Sequence, residues 1–289
     1  MNESLGLDPA NLPIRATLKR ECERAWERLA SAGTWWTGAE RLAIAAESRA
    51  AHSCELCRRR KEALSPYLVE GTHDTLGVLP AGVVDVVHRI STDAGRLTRK
   101  WLYATLEENI SEEKYIEAVG VVAVVTALDT FDLSMGMPQR PLPAPIPGEP
   151  TRHRPVNARR DIAWVSTVAP ENLAPGDPDP YKVHGTKNIH RALSLVPQEV
   201  FNFFDVDVEL YLKDYEIRDF TREFRALSHV QIELLAGESA SGRANVPRTR
   251  RTRRCCGDRG FVQFRRHHCR QHGDPAGGFQ SRGDRGLAL

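Results

Sequence analysis

At 289 residues the chain has room for two domains and a well-buried core, and its 41% apolar and 27% charged content is ordinary for a soluble globular protein. The net charge of +2 is unevenly spread: from Arg243 onward there are twelve arginines, no lysine and only three acids, which leaves the body acidic at about −7 and argues against a nucleic-acid role for it. The first residues lack the basic-then-apolar pattern of a secretory signal, and the longest mainly apolar stretch, Ala118 to Leu128, is too short to span a bilayer, so a cytoplasmic protein without a membrane partner is expected.

Taken in chain order, Leu18, Cys22, Ala25, Trp26 and Leu29 recur at helical spacing and predict an amphipathic helix over Ile14 to Ser31, ended by Gly33. Thr37, with Glu40 three residues later, forms a capping box for a second helix, Gly38 to about Ala51, which buries Leu42, Ile44 and Ala45. A third helix starts at Cys54, runs through Arg58-Arg59-Arg60-Lys61 to Leu64, and is stopped by Pro66. Val83 to Ile90 and Ala94 to Leu106 read as two more. Ser111, followed by Glu112 and Glu113, caps the strongest helix, which extends to about Met135 and has a broad apolar face typical of a central element. Gly120 on that face costs some helix stability and lets a neighbour approach closely. The β-branched run from Val121 to Val125 is compatible with a strand, but the cap and the length favour helix.

Six prolines between Pro138 and Pro150 then make an extended, semi-rigid connector, and a second irregular stretch runs from Pro170 to Lys187. Helices at Asn188 to Leu195, Pro197 to Phe204 and Asp219 to about Glu238 follow. The chain therefore reads as all-α. Its expected units are a helical domain over 1–137, a connector over 138–187, a second and incomplete helical unit over 188–240, and an Arg-rich tail over 241–289.

The chemistry-bearing feature is the pair Cys54 and Cys57, three apart at a helix start. The partial positive charge of the first-turn N–H groups, with the neighbouring arginines, favours a thiolate, and a thiolate oxidised by peroxide to a sulfenic acid can close a disulfide with a nearby thiol. Two other readings stay open. The cysteines can be small packed hydrophobes, or they can be metal ligands, for which two further ligands are needed and only His52 lies near in the sequence. Read from the residues alone, Glu47 is a solvated helix acid and His52 a surface loop residue.

The alanine-rich helix Glu40-Arg41-Leu42-Ala43-Ile44-Ala45-Ala46-Glu47, the C-x-x-C helix and the long apolar helix ending Thr126-Ala127-Leu128-Asp129-Thr130-Phe131 together resemble the alkylhydroperoxidase D-like, or carboxymuconolactone decarboxylase-like, superfamily, over roughly 35–137. The segment Asn188 to Ser194, with Arg225 to Ala236, is similar to a related half. The resemblance implies an alkylhydroperoxidase D-like helical bundle, a tendency to form homo-oligomers, and thiol peroxidase or decarboxylase activity with no bound organic cofactor; no metal is expected. It assigns peroxide attack to Cys57 and resolution to Cys54, with a small peroxide as substrate and an external dithiol as reductant. The family's histidine, four residues beyond the second cysteine, is Lys61 here, and its glutamate falls at Leu42, which leaves Glu47 as the closest acid and His52 as a nearby proton carrier. A non-catalytic helical scaffold that senses oxidants through the pair is the alternative from another class.

In the second half Glu233 lies where the family has its glutamate, but no second C-x-x-C follows. Composition changes abruptly near Gly237 to Arg243. A basic tail able to bind nucleic acid, or to bind a metal through Cys255, Cys256, His267, His268, Cys269 and His272, is one account of this. The other is a change of reading frame, since codons for Ala244 to Val246 can contain Glu-Cys in a shifted frame and those for Arg251 to Cys256 can contain His-Ala-Ala-Val-Leu.

Overall fold

The computed structural model describes residues 14–210. The expected helix over Asp219 to Glu238, the remainder of the second unit and the Arg-rich tail lie outside the described residues.

The architecture is helical, as the periodicities predict. The elements are α1 (Ala16–Ala30), α2 (Gly38–Ala50), α3 (Glu55–Glu62), α4 (Ala81–Asp93), α5 (Arg99–Glu108), α6 (Glu112–Ser134), α7 (Tyr181–His184), α8 (Asn188–Ala192) and α9 (Pro197–Leu210). One short antiparallel pair, β1 (Arg159–Arg160) with β2 (Ser166–Thr167), breaks the all-helical pattern and pairs Arg159 with Thr167. The strand reading of Val121 to Val125 does not hold, because the run sits in the middle of α6.

Local chemistry starts α2 and α6 where the sequence indicates, whereas α5 begins at Arg99 and not at the expected Ala94, because Ala94–Arg96 form a separate 3-10 turn. The Thr37 hydroxyl accepts from the Glu40 amide at 3.3 Å while the Glu40 carboxylate accepts from the Thr37 amide at 2.8 Å, so the capping box opens α2. Thr98 and Ser111 cap α5 and α6 by accepting from the Trp101 and Lys114 amides.

Helix α6 is the axis of the core. From Tyr115 to Val125 it is buried on nearly every side, through Tyr115, Ile116, Val119, Val122 and Val125 among others, which is why its apolar residues do not confine themselves to one stripe. Exposed positions such as Thr130 and Leu133 fall in its last turns. It packs against α1, α2, α4 and α9, while α4 also packs on α2 and α3. The Pro-rich segment runs back over the bundle: the Ile146 amide donates to the Ala30 carbonyl at 2.8 Å, and the Trp26 indole donates to the Pro141 carbonyl at 2.9 Å. Helix α9 then lies against α1 and α6, with Val200, Phe204 and Val206 in the main core. Residues 188–210, expected in a second unit, are thus packed on the first.

The three helices α2, α6 and α9 are joined by a buried ion cluster. Arg41 of α2 donates to Glu117 of α6 at 2.5 Å and to Glu199 of α9 at 2.8 Å, all three side chains at 1% exposure or less. Burial and the neighbouring Glu199 carboxylate push Glu117 up to about 7. The cluster needs close backbones, and glycines supply them. A Cβ on Gly33 would sit 1.9 Å from a Glu117 oxygen, and one on Gly120 would sit 2.5–2.7 Å from the Glu199 side chain. The neighbour that Gly120 admits is therefore α9.

Candidate functional site

The thiol pair lies at one end of the bundle, in a small apolar cluster of Cys54, Leu56 and Cys57 with Val69 against it, apart from the main core. The last turn of α2 runs into a 3-10 turn, Ala51–Ser53, after which Cys54, in extended backbone, stands at the N-cap of α3 and Cys57 in its first turn. Both thiols are free, and both are buried, at 1% and 4% exposure.

The other walls come from residues distant in sequence. From α4, His88 turns its Nδ1 to the Cys57 sulfur at 3.2 Å and its Nε2 to the Glu47 carboxylate at 2.9 Å. From the segment between α3 and α4, His73 places Nδ1 3.5 Å from both the Cys54 and the Cys57 sulfurs. Its Nε2 lies 3.0 Å from the Asp85 carboxylate of α4. That segment is anchored twice more: the Asp74 carboxylate accepts from the Glu55 amide at 2.8 Å, capping α3, and the Glu47 carboxylate accepts from the Leu76 amide at 3.2 Å. The two imidazole rings approach to 4.3 Å between centroids.

Of the residues singled out in the sequence, Cys54, Cys57 and Glu47 meet here. Glu47 is fully buried, which corrects the reading of a solvated helix acid: the α2 face it occupies looks onto α4, and His88 with the Leu76 amide satisfies its oxygens. His52 is exposed on the 3-10 turn and stands apart from the cluster. His73, Asp85 and His88 were not read as functional from the sequence. Lys61 stands where the resembling family has its histidine, and here His88, thirty-one residues beyond Cys57, faces the sulfur instead.

The electrostatics also differ from expectation. Burial pushes the Cys57 thiol up to about 12, with the Cys54 sulfur adding to the effect, so helix-end charge does not by itself make a thiolate here. The arginine run explains part of this. Arg58 pairs with Glu55 and Glu62 in solvent, and Arg60 donates to Asp85 at 2.8 Å, with a nitrogen also 3.1 Å from His73. Asp85 accepts from Arg60, Arg89 and the Trp101 indole as well as facing His73, which holds its carboxyl well below the usual carboxylate range despite burial. Burial lowers His88, against the raising effect of Glu47. A buried neutral thiol therefore faces a neutral imidazole whose second nitrogen is held by a carboxylate. The array can pass the Cys57 proton to His88, and four soft or borderline donor atoms converge within 4.8 Å of one another.

Among the described residues no helix is long and apolar enough to cross a membrane. Comparison with protein-family models, with curated proteins and with solved structures found no match for the chain.

Proposed function

We propose that the protein is a thiol-dependent peroxidase of the alkylhydroperoxidase D-like type, working through Cys57 and Cys54 with His88 as base and Glu47 as the group that orients it. The observation that carries the reading is the continuous line from Cys57 sulfur to His88 Nδ1 at 3.2 Å and from His88 Nε2 to Glu47 at 2.9 Å. With its Nε2 proton held by Glu47, His88 presents a bare Nδ1 lone pair to the thiol. Such a base is what a thiol held neutral by burial requires.

His88 takes the Cys57 proton, and the thiolate attacks the terminal oxygen of a hydroperoxide. The O–O bond breaks, the oxygen stays on sulfur as a sulfenic acid, and the leaving alkoxide takes the proton back from His88 and departs as an alcohol. The Cys54 thiol then attacks the Cys57 sulfur, releasing water and closing a disulfide. An external dithiol reduces the disulfide and is itself oxidised. The substrate class is a small hydroperoxide, the setting a reducing compartment such as the cytoplasm, and the working form a homo-oligomer. The exposed Leu64 and Leu68 beside α3 offer apolar surface for self-association.

Consumption of an alkyl hydroperoxide with a dithiol reductant tests the reading. Cys57→Ser is expected to abolish turnover, and Cys54→Ser to stop after one equivalent with a sulfenic acid that a dimedone-type reagent traps. Full activity in Cys57→Ser would overturn the scheme. Oxidation of the natural protein that stops at one equivalent despite excess dithiol would replace the peroxidase by an oxidant sensor.

A further inference from the structure

We propose that the reduced site is also a tetrahedral binding site for a zinc-type divalent cation, with Cys54 Sγ, Cys57 Sγ, His73 Nδ1 and His88 Nδ1 as its four ligands. The site goes beyond the peroxidase reading and stands on different geometry, since that reading makes no use of His73.

Three of the six donor–donor distances lie close to the edges of a tetrahedron around such an ion. With metal–sulfur bonds of about 2.3 Å and metal–nitrogen bonds of about 2.0–2.1 Å, a tetrahedral angle sets sulfur and nitrogen about 3.5–3.6 Å apart. The sulfur–nitrogen separations are 3.5 Å from Cys54 to His73, 3.5 Å from Cys57 to His73 and 3.2 Å from Cys57 to His88. All four donor atoms lie within 4.8 Å of one another, and all four side chains are buried or nearly so.

The second observation is independent of the ligand atoms. Each histidine turns the same nitrogen, Nδ1, toward the sulfurs and has its Nε2 against a carboxylate: His73 at 3.0 Å from Asp85, whose same oxygen also accepts from an Arg60 nitrogen that lies 3.1 Å from the ring, and His88 at 2.9 Å from Glu47. A carboxylate accepting the distal N–H fixes the tautomer that leaves Nδ1 free to ligate, sets the ring's orientation and raises its basicity. Two such carboxylate–histidine units aimed at one pair of thiols form a built ligand set. A base for Cys57 needs only one of them. Thiolate with imidazole is a donor set for zinc rather than for calcium or magnesium, and two thiolates neutralise a divalent ion, as a buried site requires. A disulfide would use up both sulfurs, so the ion belongs to the dithiol form alone.

The spacing hides this from sequence inspection. The pair Cys54-x-x-Cys57 is followed by fifteen residues, His73, fourteen residues and His88, so the second histidine comes far later than in a zinc-finger pattern. Helix α4 and the segment anchored by Asp74 make up the difference.

The test is titration of the full-length, reduced, metal-free protein with Co2+ under argon, followed by Zn2+. One Co2+ per chain should bind with thiolate-to-cobalt charge transfer and tetrahedral d–d absorption, and Zn2+ should displace it. His73→Ala should remove the tetrahedral spectrum. Should that variant not fold, His73→Cys decides, because a third thiolate must strengthen the charge-transfer band. Replacing Cys255, Cys256 and Cys269 together by Ser should leave the spectrum intact. A spectrum that needs the tail cysteines, that ignores both His73 variants, or that lacks thiolate charge transfer overturns the site. Hydroperoxide consumption by the metal-free protein, measured in parallel, separates the two readings. Intact consumption without a cobalt site removes this proposal alone, and a cobalt site in a protein inert to hydroperoxide removes the peroxidase alone.

Discussion

At the scale of single residues, burial reverses the expected logic of the thiol pair. A cysteine at a helix start is expected to ionise easily, yet Cys57 is pushed up to about 12 because desolvation outweighs the nearby cations. Reactivity then depends on a partner that takes the proton, and His88 is the one at 3.2 Å. His88→Gln retains a polar group against Glu47 but offers no base of suitable strength. It is expected to slow hydroperoxide consumption by the metal-free protein about 10²–10⁴-fold, the usual size of a general-base contribution. Stopped-flow rates checked beside far-UV circular dichroism separate this from misfolding, and an unchanged rate in a folded variant would remove His88 from the scheme. Cys54 and Cys57 could be singled out from the sequence because two thiols three apart at a predicted helix start are a local pattern. Glu47 could be named but its burial could not, and His88, with Asp85 and Arg89 beside it in the helix expected over Val83 to Ile90, carries no local pattern that points to the thiols.

At the scale of elements, helix existence followed from caps and periodicity, and helix partners did not. Thr37 with Glu40, and Ser111 with Lys114, begin α2 and α6 where the sequence places them, since capping is settled within four residues. Gly120 is the instructive case. Its lack of a side chain signals that something approaches α6 closely, and only the packed structure identifies Glu199 of α9 as the neighbour. Gly120→Ala improves helix propensity by about 1 kcal/mol at most. It also sets a methyl carbon 2.5–2.7 Å from a buried carboxylate side chain that is held to Arg41. The clash should win, with a net loss of about 1–3 kcal/mol in urea unfolding. A stabilised Gly120→Ala protein would mean that α9 does not lie against α6 as described.

At the scale of the whole molecule, the Arg41–Glu117–Glu199 cluster joins the first two-thirds of the fold to α9, and its charge balance gives stability a pH dependence. Two buried carboxylates share one guanidinium, so the folded state retains a proton on Glu117 up to about pH 7, whereas the unfolded chain releases it near 4.5. Between those values the folded state binds more protons than the unfolded one, so this group's contribution makes stability fall as pH rises through the window. Urea midpoints should decline between about pH 5 and about pH 7, and Glu117→Gln, which keeps an acceptor for Arg41, should flatten that decline. An equal slope in the variant would locate the effect elsewhere. The helical class, the capped starts of α2 and α6, the central character of α6 and the position of the thiol pair were set by the sequence alone, because each depends on residues within a few turns of one another. Tertiary structure alone decided that α9 belongs against α1 and α6, that Glu47 is buried, and that His73, Asp85 and His88 close around Cys54 and Cys57. Those facts depend on contacts between residues dozens of positions apart, which no local periodicity encodes, and the candidate chemistry of this chain depends on them.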